Sequence, residues 1–351
     1  MIKLVIDCFG GDHSPQANVA GALEALERLD DLYLILTGDE EKIHAELAGR
    51  SYDTARLEVV HAPDVIGCDE KPTDAIRMKK ESSMMRAVYL LRTRDDIAGM
   101  VSNGSTGALV AASVLRIGRL DGVIRPAFCP ILPSMAGGIV AICDSGANVE
   151  CNAEELRQFA VMGSLYLSTV YRDKLPQAQP RVALLNVGVE AEKGDSLRRE
   201  AYALLAETPD LHFVGNMESR DLLSGNYDLV VCDGFAGNVL IKSTEGACLE
   251  MLKLLKKDIS SSFRNKIGAL ILRKMFLREK QLLDYQNYGG SVMLGTQKIV
   301  VKGHGSSKQL AVRNCVEQAY RMAKVDLCGM MEEELRKTRG LSAEESTIQK
   351  G

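Results

Sequence analysis

The sequence lacks any apolar run long enough to cross a membrane, since a span needs roughly 18 consecutive apolar residues. The longest apolar run, residues 108–115, is far shorter. Residues 1–9 are too few for the apolar core of a secretory signal peptide, and glycines and an acid follow them. These absences predict a cytosolic protein.

The sequence also lacks the residue patterns of metal sites and disulfide frameworks. The nine cysteines form no C-x-x-C pair and are odd in number, which argues against a disulfide framework or a cysteine metal cluster. No two histidines have metal-ligand spacing, so no metal site is predicted. The net charge of -4 gives no reason to expect nucleic acid as a partner.

Three common catalytic or nucleotide motifs are missing. The chain has no G-x-G-x-x-G after a strand, no G-x-x-x-x-G-K-[ST] and no G-x-S-x-G. These absences disfavour dinucleotide binding, P-loop chemistry and catalysis by a nucleophilic serine.

Short apolar, β-branched runs alternate with helical patterns along the chain. This alternation is typical of an α/β protein whose sheet is covered by helices on both faces. Strands are predicted at residues 2–6, 32–37, 57–61, 99–102, 138–143, 181–187, 228–232 and 298–301. Helices are predicted at residues 16–28, 73–91, 106–117, 153–171 and 194–205.

Four predicted strands end in turns of small residues that open a helix, at residues 7–13, 102–107, 144–148 and 233–238. Loops at the carboxyl ends of strands surround the ligand crevice of an open α/β sheet. Glycines permit close approach, and the N–H groups of a following helix favour an anion. Together the turns predict a phosphate-sized ligand, although each one alone also fits a purely conformational role.

Basic residues beside these loops are candidates for anion binding. Lys193 precedes a predicted helix, where it would neutralise an anion or remain a solvated lysine. Residues 79–84 and 302–307 offer similar lysines, and the glycines that flank His304 favour a mobile or closely approached loop.

Residues 251–284 carry nine lysines and arginines against three acids, with apolar residues between them. The pattern predicts a basic amphipathic helical region interrupted near residues 260–262. It fits a hairpin whose apolar stripe packs on its own partner helix, or contact with a membrane surface. Residues 331–351 are rich in Glu, Lys and Ser and are predicted to be a disordered tail.

The motifs in their order resemble the PlsX family, the phosphate acyltransferases of bacterial phospholipid synthesis. They include "GGDHSP", "NGSTGA", "DSGANV", "RVALLNVG", "FVGNMESRDLL", "VVCDGFAGNVLIKSTEG", "DYQNYGG" and "KGHGSS". The resemblance implies one domain over residues 1–330, with residues 251–284 as a helical protrusion. It also implies a layered α/β/α fold with a mostly parallel mixed sheet, similar to isopropylmalate dehydrogenase and phosphotransacetylase.

The activity implied by the resemblance is transfer of a fatty acyl group from acyl carrier protein to inorganic phosphate. The acyl phosphate would then serve a glycerol-3-phosphate acyltransferase. The resemblance further implies a homodimer that needs no metal or organic cofactor and contacts anionic membrane through residues 251–284. Two alternatives stay open, namely acyl-coenzyme A as the donor and a diverged, non-catalytic scaffold for carrier protein or membrane.

The resemblance also assigns site residues. Lys193 would neutralise phosphate, and Asn238 would donate an amide hydrogen bond at the reacting centre. The substrate-binding set comprises Gly10, Gly11, Asp12, His13, Ser102, Thr106, Gly107, Asn148, Asp233, Gly234, His304 and Ser306. Within it, Asp12 and His13 are expected to organise their loop rather than to act as acid and base.

The chain departs from the family pattern at Cys8, Phe9, Asn103, Ser105, Ser145 and Asp195. Asp195 has the clearest physical consequence, because a carboxylate beside the phosphate site would repel the substrate. Pairing with Lys193 or Arg198 would remove this repulsion. Altered activity is expected first at Cys8 and Phe9.

Overall fold

The computed structural model describes residues 1–283 and 285–338. Its strands are β1 (Ile2–Asp7), β2 (Leu32–Gly38), β3 (Leu57–His61), β4 (Ile97–Ser102), β5 (Ala127–Cys129), β6 (Ile131–Pro133), β7 (Ile139–Cys143), β8 (Val182–Asn186), β9 (Phe213–Glu218), β10 (Leu229–Val231), β11 (Ser291–Leu294) and β12 (Ile299–Lys302). Its helices are α1 (Gln16–Arg28), α2 (Glu40–Leu47), α3 (Pro72–Met78), α4 (Ser83–Thr93), α5 (Thr106–Ala112), α6 (Ala153–Val170), α7 (Ser196–Ala206), α8 (Gly234–Ser260), α9 (Phe263–Ile271), α10 (Arg273–Leu283), α11 (Gln309–Lys324) and α12 (Leu327–Thr338). Short 3-10 turns lie at Thr54–Arg56, Arg172–Lys174, Ser219–Asp221 and Tyr285–Tyr288, and Ser113–Ile117 extends α5 as a π-helix.

The strands form two sheets. The first has the order β3-β2-β1-β4-β12-β11-β5 and the second β6-β7-β10-β8-β9. In the first sheet β1, β2, β3, β4 and β12 are parallel, whereas β11 runs antiparallel to both of its neighbours. In the second sheet only β6 is antiparallel. The predicted α/β class and the parallel-dominated pairing are confirmed, but the strands divide between two sheets.

Helices cover both faces of the first sheet. Successive strand residues point to opposite faces, so Leu4 and Ile6 join one apolar cluster while Val5 joins another. Helices α1 and α11 pack on the first face and α4 on the second. The first cluster also includes Ala141 and Leu229 of the second sheet, so a continuous apolar core connects the two sheets.

The carboxyl ends of the parallel strands carry the predicted loops. In the first sheet β1, β4 and β12 lead into the loops after Asp7, Ser102 and Lys302. In the second sheet β7 and β10 lead into the loops at Asp144 and Asp233, and β8 leads towards Lys193. The topology therefore collects six loops from two sheets.

Two predicted elements differ from the structure. The single helix predicted at residues 73–91 is two helices, because Ser82 caps α4 by accepting a hydrogen bond from the Met85 N–H at 3.4 Å. The tail predicted to be disordered from residue 331 continues as α12 to Thr338. Its Met331 and Leu335 are buried, and the helix packs on α6. Residues 339–351 of that prediction lie outside the described residues.

The basic segment forms three consecutive helices. Helix α8 runs to Ser260, and α9 and α10 follow, so the predicted interruption near residues 260–262 is confirmed. Several of its apolar side chains lie largely open to solvent, since Phe263 and Ile271 are each 78% exposed and Leu270 is 70% exposed. Asp284 lies outside the described residues. Within the described chain, no helix combines the length and apolar character of a membrane span.

Candidate active site

A pocket of about 180 Å³ lies where the loops of the two sheets meet. Three predicted site residues line it, namely Thr106 and His304 from the first sheet and Asn238 from the second. Ser145, Lys242, Glu245, Lys302 and the Gly289–Gly290 pair also contribute to its walls. The pocket therefore combines an amide, a histidine and two lysines.

Asp7 fixes the loops on the first-sheet side. Its buried carboxylate accepts hydrogen bonds from the Ser83 and Ser102 hydroxyls, each at 2.6 Å. Burial raises the pKa of Asp7, while the two serine hydrogen bonds oppose that rise. Ser102 also accepts the Gly104 N–H at 3.1 Å. Ser102 thus holds the loop together, and its hydroxyl is already used.

The loop after β1 lies directly against the loop after β4. A side chain at Gly10 would collide with the Gly104 backbone, so glycine is required for this approach. The Asp12 N–H donates to the Gly305 carbonyl at 2.8 Å, which joins the loop after β12. The side chains of Asp12 and His13 are exposed and do not line the pocket.

Gly11 and Gly107 serve local packing. Gly11 has a φ of 92°, in the left-handed region, and lies against the Gly305 carbonyl and Asn103. Gly107 is exposed and lies against Pro72, outside the pocket.

Asn18 links these loops from within α1. Its amide nitrogen donates to the carbonyls of Cys8 at 2.9 Å and Gly10 at 2.8 Å. Its oxygen accepts from Asn103 at 2.8 Å, so the departure at Asn103 is part of this network. The departure at Phe9 places an aromatic ring directly over Gly38, away from the pocket lining.

Asp144 organises the loop after β7. Its buried carboxylate accepts backbone N–H groups of Ser145 at 2.6 Å, Asn148 at 2.6 Å and Phe128 at 2.9 Å. Burial raises the pKa of Asp144, and the hydrogen bonds from the backbone oppose that rise. The Asn148 amide donates to Asp144 at 3.0 Å and to the Pro126 carbonyl at 2.7 Å. Both amide hydrogens of this predicted site residue are therefore engaged in the loop.

The beginning of α8 is fixed by Asp233 and Gly234. Asp233 caps the helix by accepting the Ala236 N–H at 2.9 Å, and its other oxygen pairs with Arg198. Arg198 also pairs with Asp195 at 3.0 Å, which confirms one of the two predicted pairings. The Gly234 N–H donates to the Asn148 carbonyl at 2.7 Å. These contacts hold α8 on the Asp144 loop, and Asp195 and Asp233 share the positive charge of Arg198.

Of the two predicted catalytic residues, Asn238 lines the small pocket and Lys193 does not. Asn238 lies one turn into α8, exposed to the pocket, and no described residue forms a hydrogen bond with its side-chain amide. Lys193 is exposed in the loop between β8 and α7 and does not line this pocket. Its neighbours Gly194 and Asp195 line a second, larger cleft.

That second cleft measures about 1230 Å³ and runs along the other side of α8. Its walls are mainly apolar, and they include Val149, Leu185, Val187, Leu197, Phe235, Val239 and Leu240. Asp233 and Arg198 lie at its polar side. The first turns of α8 thus separate a small polar pocket from a large apolar cleft.

His304 is held by its own loop. Its Nδ1 accepts the Ser306 N–H at 3.2 Å and lies 2.8 Å from the Ser306 hydroxyl. Because Nδ1 is an acceptor, the neutral ring carries its proton on Nε2. Burial lowers the pKa of His304, and nearby Lys242 and Lys302 lower it further. These effects favour the neutral ring, and Glu245 opposes them.

The two lysines of the pocket are not among the predicted site residues. Lys302 belongs to a candidate loop only, and the sequence around Lys242, "GNVLIKS", has a Lys-Ser pair but lacks the second glycine of a P-loop. The sequence does indicate Lys302 by its position, since it follows the apolar residues "IVV" at the carboxyl end of a predicted strand. Ligands of open α/β sheets bind at the carboxyl ends of the strands. Among the described residues, no group of three or more His, Cys, Asp or Glu side chains is placed to hold a metal ion.

Comparison with known proteins identifies the family. Residues 2–330 match the family described as "Fatty acid synthesis protein". The phosphate acyltransferase of Clostridium tetani is 40% identical over 334 residues, covering 95% of this chain and 98% of that protein. The phosphate acyltransferase of Brevibacillus brevis is 41% identical over 336 residues, covering 96% and 98%. The chain belongs to the phosphate acyltransferase family.

The fold of this phosphate acyltransferase family member is similar to the folds of solved phosphotransacetylases. A phosphotransacetylase from Streptococcus pyogenes superposes with a TM-score of 0.58 at 16% identity, covering 92% of this chain and 94% of that one. The EutD phosphotransacetylase from Staphylococcus aureus gives 0.55 at 16% identity, with the same coverage. The predicted likeness to the phosphotransacetylase fold is confirmed.

Proposed function

We propose that this protein transfers a fatty acyl group from acyl carrier protein to inorganic phosphate, yielding acyl phosphate and the free carrier thiol. A phosphate oxygen attacks the thioester carbonyl carbon, the C–O bond forms, and the C–S bond breaks as the thiolate leaves. The observation that supports this most directly is the small pocket in which Asn238 meets cationic side chains from both sheets. Such a pocket suits an anionic nucleophile and a developing oxyanion.

Asn238 is proposed to donate its amide to the oxyanion, because that amide is exposed to the pocket. Lys193 is proposed to neutralise phosphate charge from outside the small pocket, since its neighbours Gly194 and Asp195 line the large cleft. The apolar cleft on the other side of α8 is suited to the fatty acyl chain, since it is large and mainly apolar.

Phosphate dependence is the decisive test of this function. The purified protein, mixed with acylated carrier protein, should release free carrier thiol only when inorganic phosphate is present, and a thiol reagent measures the release. A parallel reaction with acyl-coenzyme A tests the alternative donor, and activity there without carrier protein would favour it. Absence of phosphate dependence with both donors would contradict both enzymatic functions and favour a scaffold.

Further partners are proposed from the family. The product would pass to a glycerol-3-phosphate acyltransferase, and the protein would act as a cytosolic homodimer that also contacts membrane. The basic surface of α9 and α10 supports contact with an acidic carrier protein or anionic lipid. The exposed apolar side chains of α9 favour lipid, because they remain unburied in the monomer.

Replacing Leu270 and Ile271 together with glutamate should weaken binding to anionic phospholipid vesicles by about 10-fold or more. Both side chains are largely exposed, so insertion would bury much of their apolar area. Vesicle cosedimentation measures the change. A Ser260→Glu, Ser261→Glu variant adds the same two charges without removing apolar area, and equal binding by the two variants would contradict apolar insertion.

A further inference from the structure

Lys302 is a buried lysine at the end of β12. Its residue surface is only 9% exposed, yet it lines the pocket that also contains Asn238 and His304. Its ammonium donates to the neighbouring Gly303 carbonyl. Among the described residues, no carboxylate lies within ion-pair distance of this ammonium. A buried charge without a counter-ion is costly, so an anion from outside the protein would stabilise the arrangement.

The charged side chains that line the pocket with Lys302 leave its lining positive. Lys242 lines the same pocket and pairs with Glu245 at 2.8 Å, so these two charges offset each other. The buried Asp7 carboxylate is hydrogen-bonded to Ser83 and Ser102 and does not line the pocket. It raises the pKa of Lys302 from beyond ion-pair distance. Burial lowers the pKa of Lys302, and a bound anion would oppose this effect. Lys302 is thus a buried positive charge in this pocket, and no carboxylate of the described residues pairs with it.

We propose that Lys302 binds the phosphate group of the acyl acceptor in the pocket shared with Asn238, an assignment that rests on the proposed function. A volume of about 180 Å³ suits a compact oxyanion, whereas the large apolar cleft suits the acyl chain. Two ligands of the reaction carry a phosphate group, namely inorganic phosphate and the phosphopantetheine arm of the donor. Enclosure beside Asn238 favours inorganic phosphate, because the nucleophile must lie next to the oxyanion donor.

The test measures binding without an acyl donor. Isothermal titration calorimetry of Lys302→Met with sodium phosphate should give a Kd about 10- to 100-fold higher than that of the unmodified protein, as expected for loss of a charge-assisted hydrogen bond. Titration with 4′-phosphopantetheine should give an unchanged Kd. Lys302→Gln, which keeps a polar group, should behave like Lys302→Met and provides a second folded variant.

Lys298→Met is the matched control. Lys298 lies at the other end of β12, where its ammonium donates to the Ile97 carbonyl at 2.9 Å, and this variant should bind phosphate normally. Unchanged phosphate binding in the folded Lys302 variants would overturn the assignment. Equal loss in Lys298→Met, or loss confined to 4′-phosphopantetheine, would do so as well.

Because no donor is present, this result is separable from the proposed reaction. Phosphate binding through Lys302 without any release of carrier thiol would contradict the reaction and leave the phosphate site standing. Thiol release that depends on phosphate, with normal phosphate binding in the Lys302 variants, would contradict only the site.

Discussion

Replacing Asn238 with alanine is expected to lower kcat for phosphate-dependent release of carrier thiol about 100- to 1000-fold. The amide is exposed to the pocket, and no described residue engages it. Its loss removes a donor that acts on charge present only in the transition state, so KM for phosphate should change little. Steady-state kinetics over a phosphate series measure both quantities.

The controls for Asn238 separate chemistry from folding. Asn238→Asp keeps the side-chain shape but removes the donor and adds negative charge, so it should be at least as impaired. Asn226 is exposed and precedes the amino end of β10, opposite the site, and Asn226→Ala should retain full turnover. A folded Asn238→Ala protein with normal turnover would show that the amide does not act in the reaction.

Replacing Lys193 with alanine is expected to lower kcat/KM for phosphate by about 100- to 1000-fold. The backbone around Lys193 is fixed, since its carbonyl accepts from Asn186 at 3.0 Å and its N–H donates to Glu190 at 3.2 Å. The exposed ammonium has no ion-pair partner within the described part of the chain. It is therefore available to a bound anion, and initial-rate kinetics measure the loss.

Two further variants sharpen the Lys193 result. Lys193→Arg keeps the charge and should retain most of the activity. Lys174 is an exposed lysine that precedes the amino end of β8, so Lys174→Ala removes the same charge at the opposite edge of the sheet. Comparable losses in Lys174→Ala and Lys193→Ala would mean that general surface charge, rather than Lys193, explains the effect.

The fold was predictable where strands are buried on both faces. Mainly apolar runs such as residues 2–6 and 228–232 predict parallel strands, because helices cover both faces of such strands. The strands β5, β6 and β11 were missed because they have only three or four residues each and are antiparallel. β9 was missed because "FVGNME" mixes polar residues and glycine into the strand. The division into two sheets depends on pairing that no local pattern specifies.

The candidate site was predictable at the level of loops and less so at the level of side chains. The loops after β1, β4, β7 and β10 were found from their small residues. The loop after β12 was found from its lysine and the glycines that flank His304. The sequence did not show that the side chains of Ser102 and Asn148 form their hydrogen bonds with other residues of the protein. Nor did it show that Lys302 is buried without a carboxylate, because burial and ion pairing arise only from tertiary packing.

The Asp144 carboxylate has a consequence for how the loop after β7 can vary. In a glycine-rich phosphate loop, the backbone N–H groups donate hydrogen bonds to the substrate anion. Here the Asp144 carboxylate accepts the N–H groups of Phe128, Ser145 and Asn148, so the loop is shaped without a bound substrate. The side chain at Ser145 is not needed to define the backbone. An uncommon residue there is therefore compatible with an intact binding surface, and recognition of the substrate passes to side chains from other elements.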